Sequence, residues 1–363
     1  MKRFLSLWLL MAALPLAAQF RYSNPVLHQD YSDPDVCRVG EDYYLTASSF
    51  NFFPGLPVLH SRDLVSWELA GHALTDYPSD EFRQGVRHGD GVWAPAIRFH
   101  DGWFYIFCGD PDRGIFMVRS QDPAGPWEPP VWVLRGKGFI DPCPFWDDDG
   151  KAYLSHALAG SRAALKSVVL VAPMAPDGTA LLAPSRVVYD GHFTQPTIEG
   201  TKFYKRGPWY YIFAPAGGVA TGWQTVLRSR SPFGPFEEKT VLAWAPGTVN
   251  GPHQGAWVDT PGGEDWFLHF QDKGAYGRIL HLQPMTWLPD GWPLIGEDPD
   301  GDGVGQPVPG WTGPAGGALA AGSCPLDWQW PAVPSPLWLL QLEDGVRLYS
   351  VLQEGKGLWN CPN

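Results

Sequence analysis

After its first eighteen residues the sequence has no apolar run approaching the roughly 20 residues of a membrane-spanning helix. Beyond Lys2 and Arg3 it has no cluster of basic residues, and the formal net charge is −12. A nucleic-acid partner needs clustered Lys and Arg to displace counterions from phosphate, so that class is excluded. Cysteine is scarce: Cys37, Cys108, Cys143, Cys324 and Cys361 are odd in number, widely spaced and free of any Cys-x-x-Cys pair. That pattern argues against a disulfide scaffold and against a zinc cage. No Gly-x-Ser-x-Gly elbow, Walker loop or Gly-x-Gly-x-x-Gly fingerprint is present, which removes the usual signals of a hydrolase triad and of nucleotide binding. Uninterrupted helical stretches are missing too, because 42 Gly and 37 Pro break nearly every run after residue 18. Their share stays below the roughly 25–30% typical of disordered chains.

What the chain does have is rings: aromatic residues make up 14% of its 363 positions, with 19 Trp. They can fill a large core, and they are also what a sugar-stacking cleft needs. The N-terminus has a second character. Lys2 and Arg3 precede an apolar stretch from Phe4 to Leu16, and Leu16-Ala17-Ala18 ends in small residues. Residues 1–18 therefore read as a signal peptide, with an uncleaved anchor as the alternative. Export predicts a secreted or periplasmic protein with no membrane attachment after cleavage.

One pattern recurs five times: a turn of Gly, Asp or Lys, then bulky residues, then an apolar strand. The copies are Gly40–Tyr44, Asp101–Tyr105, Asp149–Tyr153, Arg206–Tyr211 and Gly263–Phe267. A second pattern follows in several units, at Ser61–Trp67, Ser120–Trp127 and Ser229–Phe236. In each, a Ser opens a polar turn and an aromatic enters the next strand. Repeats of this length made of short strands suggest propeller blades. The expected fold is thus all-β, a five-bladed β-propeller over residues 19–310; an irregular β-sandwich is the competing reading. Asp298, Asp300 and Asp302 imitate the start of a calcium loop, but Pro309 stands where the twelfth-position Glu should be, so a solvated turn is expected. Residues 311–322 are Gly-rich and read as a linker, and residues 323–363 as a few further strands, too few to hold a core alone.

Three acids sit at matching offsets before the aromatic pairs of their blades: Asp33 in Tyr31-Ser32-Asp33-Pro34, Asp141 in Ile140-Asp141-Pro142 and Glu199 in Ile198-Glu199-Gly200. The shared offset predicts that all three face the axis. Carboxyl groups so placed repel, which leaves one protonated near neutral pH. An ionised and a protonated carboxyl are the equipment of glycoside hydrolysis. On these residues alone a glycosidase, a sugar-binding propeller and a set of structural turn acids all remain open, since Asp-Pro is common in turns.

The ordered set Tyr31-Ser32-Asp33-Pro34-Asp35-Val36, Phe53-Pro54-Gly55, His60–Leu64, Val92–Arg98, Ile140-Asp141-Pro142, Ile198-Glu199-Gly200 and Tyr276-Gly277-Arg278 resembles glycoside hydrolase family 43 over about residues 22–310. The resemblance implies a five-bladed propeller and an inverting, exo-acting β-xylosidase or α-L-arabinofuranosidase on oligosaccharide or polysaccharide substrates. It makes Asp33 the general base, Glu199 the general acid and Asp141 the acid that raises and orients Glu199. Phe50 and Trp93 match rings that wall the sugar pocket. Arg278 matches a basic residue at its floor, able to hold Asp141 ionised. His253 matches a histidine that contacts a hydrated calcium or sodium ion, with no cofactor required for the chemistry. Strand alternation is expected to turn Asp35 outward. The tail matches the opening of a C-terminal β-sandwich, truncated at Asn363. A non-catalytic sugar-binding propeller and a retaining fructan-cleaving hydrolase are the rival functions. The motifs leave the oligomeric state open.

Overall fold

The computed structural model describes residues 20–79, 89–244, 249–315, 330–331, 339–342 and 345–348. The signal-peptide expectation for residues 1–18 lies outside them. Five four-stranded antiparallel sheets follow one another along the chain, each in simple up-and-down order. Blade I comprises Asp35–Val39, Asp42–Thr46, Gly55–Ser61 and Glu68–Leu74. Blade II comprises Trp93–His100, Trp103–Asp110, Gly114–Ser120 and Val131–Arg135. Blade III comprises Phe139–Trp146, Ala152–Leu158, Val168–Met174 and Arg186–Asp190. Blade IV comprises Lys202–Arg206, Trp209–Ala216, Trp223–Ser229 and Glu237–Leu242. Blade V comprises His253–Asp259, Asp265–Asp272, Arg278–Trp287 and Pro293–Ile295.

Both sequence repeats have a physical counterpart. The five copies of the first are the hairpin turns between the first and second strands of the five blades. In blade I, Val39 pairs with Asp42 across Gly40-Glu41, and Gly40 takes a φ of 65° that a side chain would resist. The second repeat joins third to fourth strands. Its serines cap that turn: Ser61, Ser120 and Ser229 each accept, through Oγ, the backbone N–H two residues on, at 3.1 Å in all three.

No blade holds a core of its own. Side chains alternate across each strand, and the two faces feed different interfaces. In Trp103–Asp110, Phe104 and Ile106 pack with Leu56 and Val58 of blade I, while Tyr105 and Phe107 pack with Leu154 of blade III. Three further clusters join III to IV around Phe203 and Ile212, IV to V around Phe213 and Phe267, and V back to I around Leu45, Leu59 and Leu268. Each such buried ring or aliphatic side chain contributes about 1.5–3 kcal/mol. The circle is fastened by an N-terminal strap. Arg21–Ser23 pairs antiparallel with Gly310–Thr312. Tyr22 Oη and Asn24 Nδ2 both donate to the Leu282 carbonyl at 2.8 Å.

Two expectations need correcting. Asp35 does not turn outward. It is wholly buried, with Oδ2 accepting from Ile97 N at 2.7 Å and from Arg98 Nη1 at 2.5 Å; both faces of a first strand are covered in a propeller, so alternation offers no exit. The presumed linker does not begin at residue 311, because Trp311 and Thr312 complete the strap's partner strand; residues 316–322 lie outside the described ones. Beyond them, Trp330–Pro331 pairs with Phe52–Phe53, and Leu339–Leu342 with Gly345–Leu348. The acidic 296–310 loop is a capped turn: Asp298 accepts backbone N–H groups of Gly301, Asp302 and Gly303.

Candidate active site

The same end of every first strand supplies one group. Asp33 lies two residues before blade I's first strand, Trp93 opens that of blade II, Asp141 is third in that of blade III, Glu199 lies three before that of blade IV, and His253 opens that of blade V. The local backbone is unusual there. Asp33, Phe50, Ala94, Asp141 and Gln254 all have φ between 38° and 56° or, for Ala94, 36°. Pairing slips between Trp93 and Ala96, Ile140 and Cys143, and His253 and Gly255. Bulges re-aim side chains, and left-handed conformations cost about 1–3 kcal/mol each where no glycine relieves them. Their concentration at one mouth marks the site independently of its chemistry.

The three acids meet. Asp33 Oδ1 accepts from Arg278 Nη1 at 2.7 Å, and Oδ2 from Ser48 Oγ at 2.6 Å. Ser48 in turn accepts the Ala94 N–H at 2.7 Å, so one hydroxyl ties blade I to blade II. Asp141 Oδ2 accepts the Gly200 N–H at 2.6 Å, and its backbone carbonyl accepts from Thr201 Oγ1 at 2.8 Å. Gly200 cannot be replaced cheaply: its φ is 64°, and a Cβ would lie 2.9 Å from Gln254 and Pro215. Glu199 Oε1 lies 3.7 Å from His253 Nε2, with 21% of its side chain accessible, so the group is closed in but still reachable.

Burial pushes the Glu199 carboxyl up to about 8, helped by the negative charges of Asp141 and Asp33 and opposed by Arg278 and Lys166. Asp141 rises to about 6, first from burial, with the Gly200 N–H pulling it down and Asp33 pushing it up. Near pH 7 Glu199 therefore carries a proton and Asp141 is mostly ionised. Burial pushes His253 down to about 3, so its ring is neutral. Arg278 contacts Asp33 rather than Asp141, which corrects the expected pairing. Its guanidinium also covers the Phe270 ring at 4.9 Å.

Phe50 and Trp93 stand on adjoining parts of the rim. Phe50 and Val92 exchange two backbone hydrogen bonds at 3.0 Å. Trp93 Nε1 donates to the Gly89 carbonyl at 2.6 Å, and Arg162 covers the ring at 5.5 Å while paired with Asp90 at 3.1 Å. His253 is wholly buried, and neither ring nitrogen makes a hydrogen bond among the described residues. The described residues contain no group of three or more His, Cys, Asp or Glu side chains able to hold a metal. A lone imidazole is not a ligand set, so no coordination is assigned to it. Ser48, Gln254, Lys202, Arg162 and the Asp35–Arg98 pair went unread in the sequence; each acts through a neighbour on another blade, and no local motif announces that.

Comparison with known proteins agrees with this arrangement. The sequence model of glycosyl hydrolases family 43 matches residues 22–293. A protein of Xylanibacter ruminicola, provisionally named a beta-xylosidase, is 43% identical over 85% of this chain and 58% of its own length. The non-reducing end alpha-L-arabinofuranosidase of Bacteroides ovatus is 35% identical over 81% of this chain and 56% of its own. The solved xylan beta-1,4-xylosidase of Bacillus halodurans superposes with a TM-score of 0.78 at 27% identity, covering 91% of this chain and 69% of that one. This chain thus spans little more than half the length of those two curated relatives. With five blades, three axial acids and a match across most of the propeller, the chain belongs to glycosyl hydrolases family 43.

Proposed function

We propose that the chain is an exo-acting, inverting O-glycoside hydrolase that releases D-xylose, L-arabinose or both from xylan, arabinoxylan or arabinan fragments. The observation that carries this reading is the convergence of Glu199, Asp141 and Asp33 at one mouth, where burial and the two neighbouring carboxyls push Glu199 up to about 8. In the reaction, Asp33 takes a proton from a water as its oxygen attacks the anomeric carbon. Glu199 gives its proton to the departing glycosidic oxygen on the other face, and the sugar leaves with inverted configuration. Asp141 keeps Glu199 protonated through like-charge repulsion. Arg278 orients Asp33 and lies within reach of a sugar hydroxyl. Phe50 and Trp93 offer ring faces to a pentose. Acid and base are both protein carboxyls, so the reaction as written uses no cofactor. A hydrated calcium or sodium ion touching His253 through its water is given no step.

Exo action is supported by the rim. The Phe50–Gly55 segment is held by backbone bonds to Val92 and by pairing with Trp330–Pro331, which raises a wall beside the acids. Relatives named for xylosidase and for arabinofuranosidase activity both match, and the two pentoses present similar hydroxyls to a small pocket. Export to a secreted or periplasmic location rests on the Lys2–Ala18 segment, and N-terminal sequencing of the mature protein tests it. A panel of nitrophenyl glycosides identifies the leaving sugar, and NMR of the first-formed anomer identifies the mechanism. Retention of configuration would point to the fructan-cleaving type. Binding of xylo-oligosaccharide without release of monosaccharide, or hydrolysis surviving in Asp33→Ala, would overturn the assignment.

A further inference from the structure

Four carboxyl groups crowd the axial floor: Asp33, Asp35, Asp141 and Glu199. Among the cations near them, Arg278 pairs with Asp33 at 2.7 Å and Arg98 with Asp35 at 2.5 Å, and Lys166 acts on Glu199 from further off. Lys202 is different. It is wholly buried, its Nζ donates to the Pro95 carbonyl at 3.1 Å, and it makes no ion pair among the described residues. The side chain starts on blade IV and ends on blade II, so it passes blade III, the blade that carries Asp141. The residues just before it, Gly200 and Thr201, are the two that hydrogen-bond Asp141. A buried ammonium without a contacting counter-ion is costly and is retained against that cost.

We propose that Lys202 is a positioning residue whose charge keeps Asp141 a carboxylate, so that the site's one proton stays on Glu199. Lys202 adds its positive charge on the Asp141 side of the site, whereas the charges acting on Glu199 are Asp141, Asp33, Arg278 and Lys166. The inference rests on the catalytic roles given above to Asp141 and Glu199. The groups facing Asp141 agree with it. Asp33 from blade I favours its protonation, while Lys202 and the Gly200 N–H from blade IV and the Gln254 side chain from blade V oppose it. Without Lys202 the site takes up a second proton, and Asp141 receives it.

The test is Lys202→Gln, which keeps a donor for the Pro95 carbonyl and removes the charge. The Asp141 carboxyl, followed by carbon-13 NMR, should titrate about one pH unit higher than in the parent, and Lys202→Arg should restore it. An unmoved Asp141 midpoint in a folded Lys202→Gln protein overturns the proposal and leaves the catalytic roles standing. A parent protein inactive on every pentoside sinks the catalytic reading instead, and the Lys202 proposal is still decided, because the titration needs no turnover. Asp141 ionised at pH 7 in the parent supports it, and a protonated Asp141 there overturns it, which also covers the case in which Lys202→Gln does not fold.

Discussion

Replacing Asp141 with Asn removes one negative charge while keeping an oxygen to accept the Gly200 N–H. The consequence falls on Glu199, whose carboxyl is raised to about 8 by burial first and by Asp141 second. Two unit charges roughly 6 Å apart at an effective dielectric of about 20 interact by ~3 kcal/mol. That equals about two pKa units. Some of the repulsion is shielded by Arg278 and Lys166, so a downward shift of about 1–2 units is expected for Glu199. Burial remains, so its affinity for the proton should stay above that of a free glutamate. The acid must be protonated to act, hence the alkaline limb of kcat/KM moves to lower pH. At pH 7.5 a shift of about 1.5 units costs about tenfold in rate. The assay is pentose release from an unactivated disaccharide across the pH range, with a nitrophenyl glycoside as control, since a good leaving group needs little protonation. An alkaline limb that stays in place, or moves up, refutes the electrostatic coupling on which the acid assignment rests.

Glu199→Gln should lose about 10²–10⁴-fold on unactivated disaccharides and far less on nitrophenyl glycosides, read as the ratio of the two rates; equal losses would mean Glu199 is not the proton donor. Arg98→Met leaves Asp35 buried without its partner and should destabilise the fold by about 3–5 kcal/mol, visible as a lower urea midpoint. Acid should unfold the protein early. Burial holds His156, His253 and His269 at about 4, about 3 and about 4, and His281 well below its ordinary value. Unfolded, these rings take up protons below about pH 6.5, so the stability they lend is present above that pH and lost as pH falls. Asp141 and Glu199 work the other way, since they already hold protons in the native state that the unfolded chain releases. Near pH 5.5 the balance is an uptake of about two protons on unfolding, or ~3 kcal/mol lost per pH unit. Urea titrations at about pH 6.5 and 5.5 measure it, and equal midpoints contradict it.

The fold was legible because a propeller writes each blade's first turn into the chain with the same kinds of residue in the same order, a polar or glycine turn and then bulky residues. Asp101-Gly102-Trp103 and Gly263-Glu264-Asp265 differ in sequence but answer the same need, a tight hairpin followed by a strand buried on both faces. The serine turns were legible for a similar reason: Oγ must reach a backbone N–H two residues on, whichever blade holds it. Asp35 was misread because the alternation rule assumes a solvent face, and a first strand at the axis has none. Trp311 and Thr312 were misread because small neighbours suggested a linker, whereas strand formation there depends on Arg21–Ser23 waiting nearly three hundred residues upstream.

The site divides along the same line. Asp33, Asp141 and Glu199 stood out because each sits at a blade's entrance, where the chain repeats itself and position predicts direction. Their partners did not, because a counter-ion has no fixed offset. Arg278 pairs with Asp33 across a separation of 245 residues, and Lys202 reaches Pro95 across 107. A carboxyl group's place in the blade can be read from local sequence, whereas its protonation depends on which cations the closed ring brings beside it. The chemistry of this mouth, one proton shared among crowded acids, is therefore a property of ring closure. Changes that loosen the strap between Arg21–Ser23 and Gly310–Thr312 should register in the pH profile before they register as loss of secondary structure, since blades I and V meet there and Asp33 and Arg278 come from those two blades.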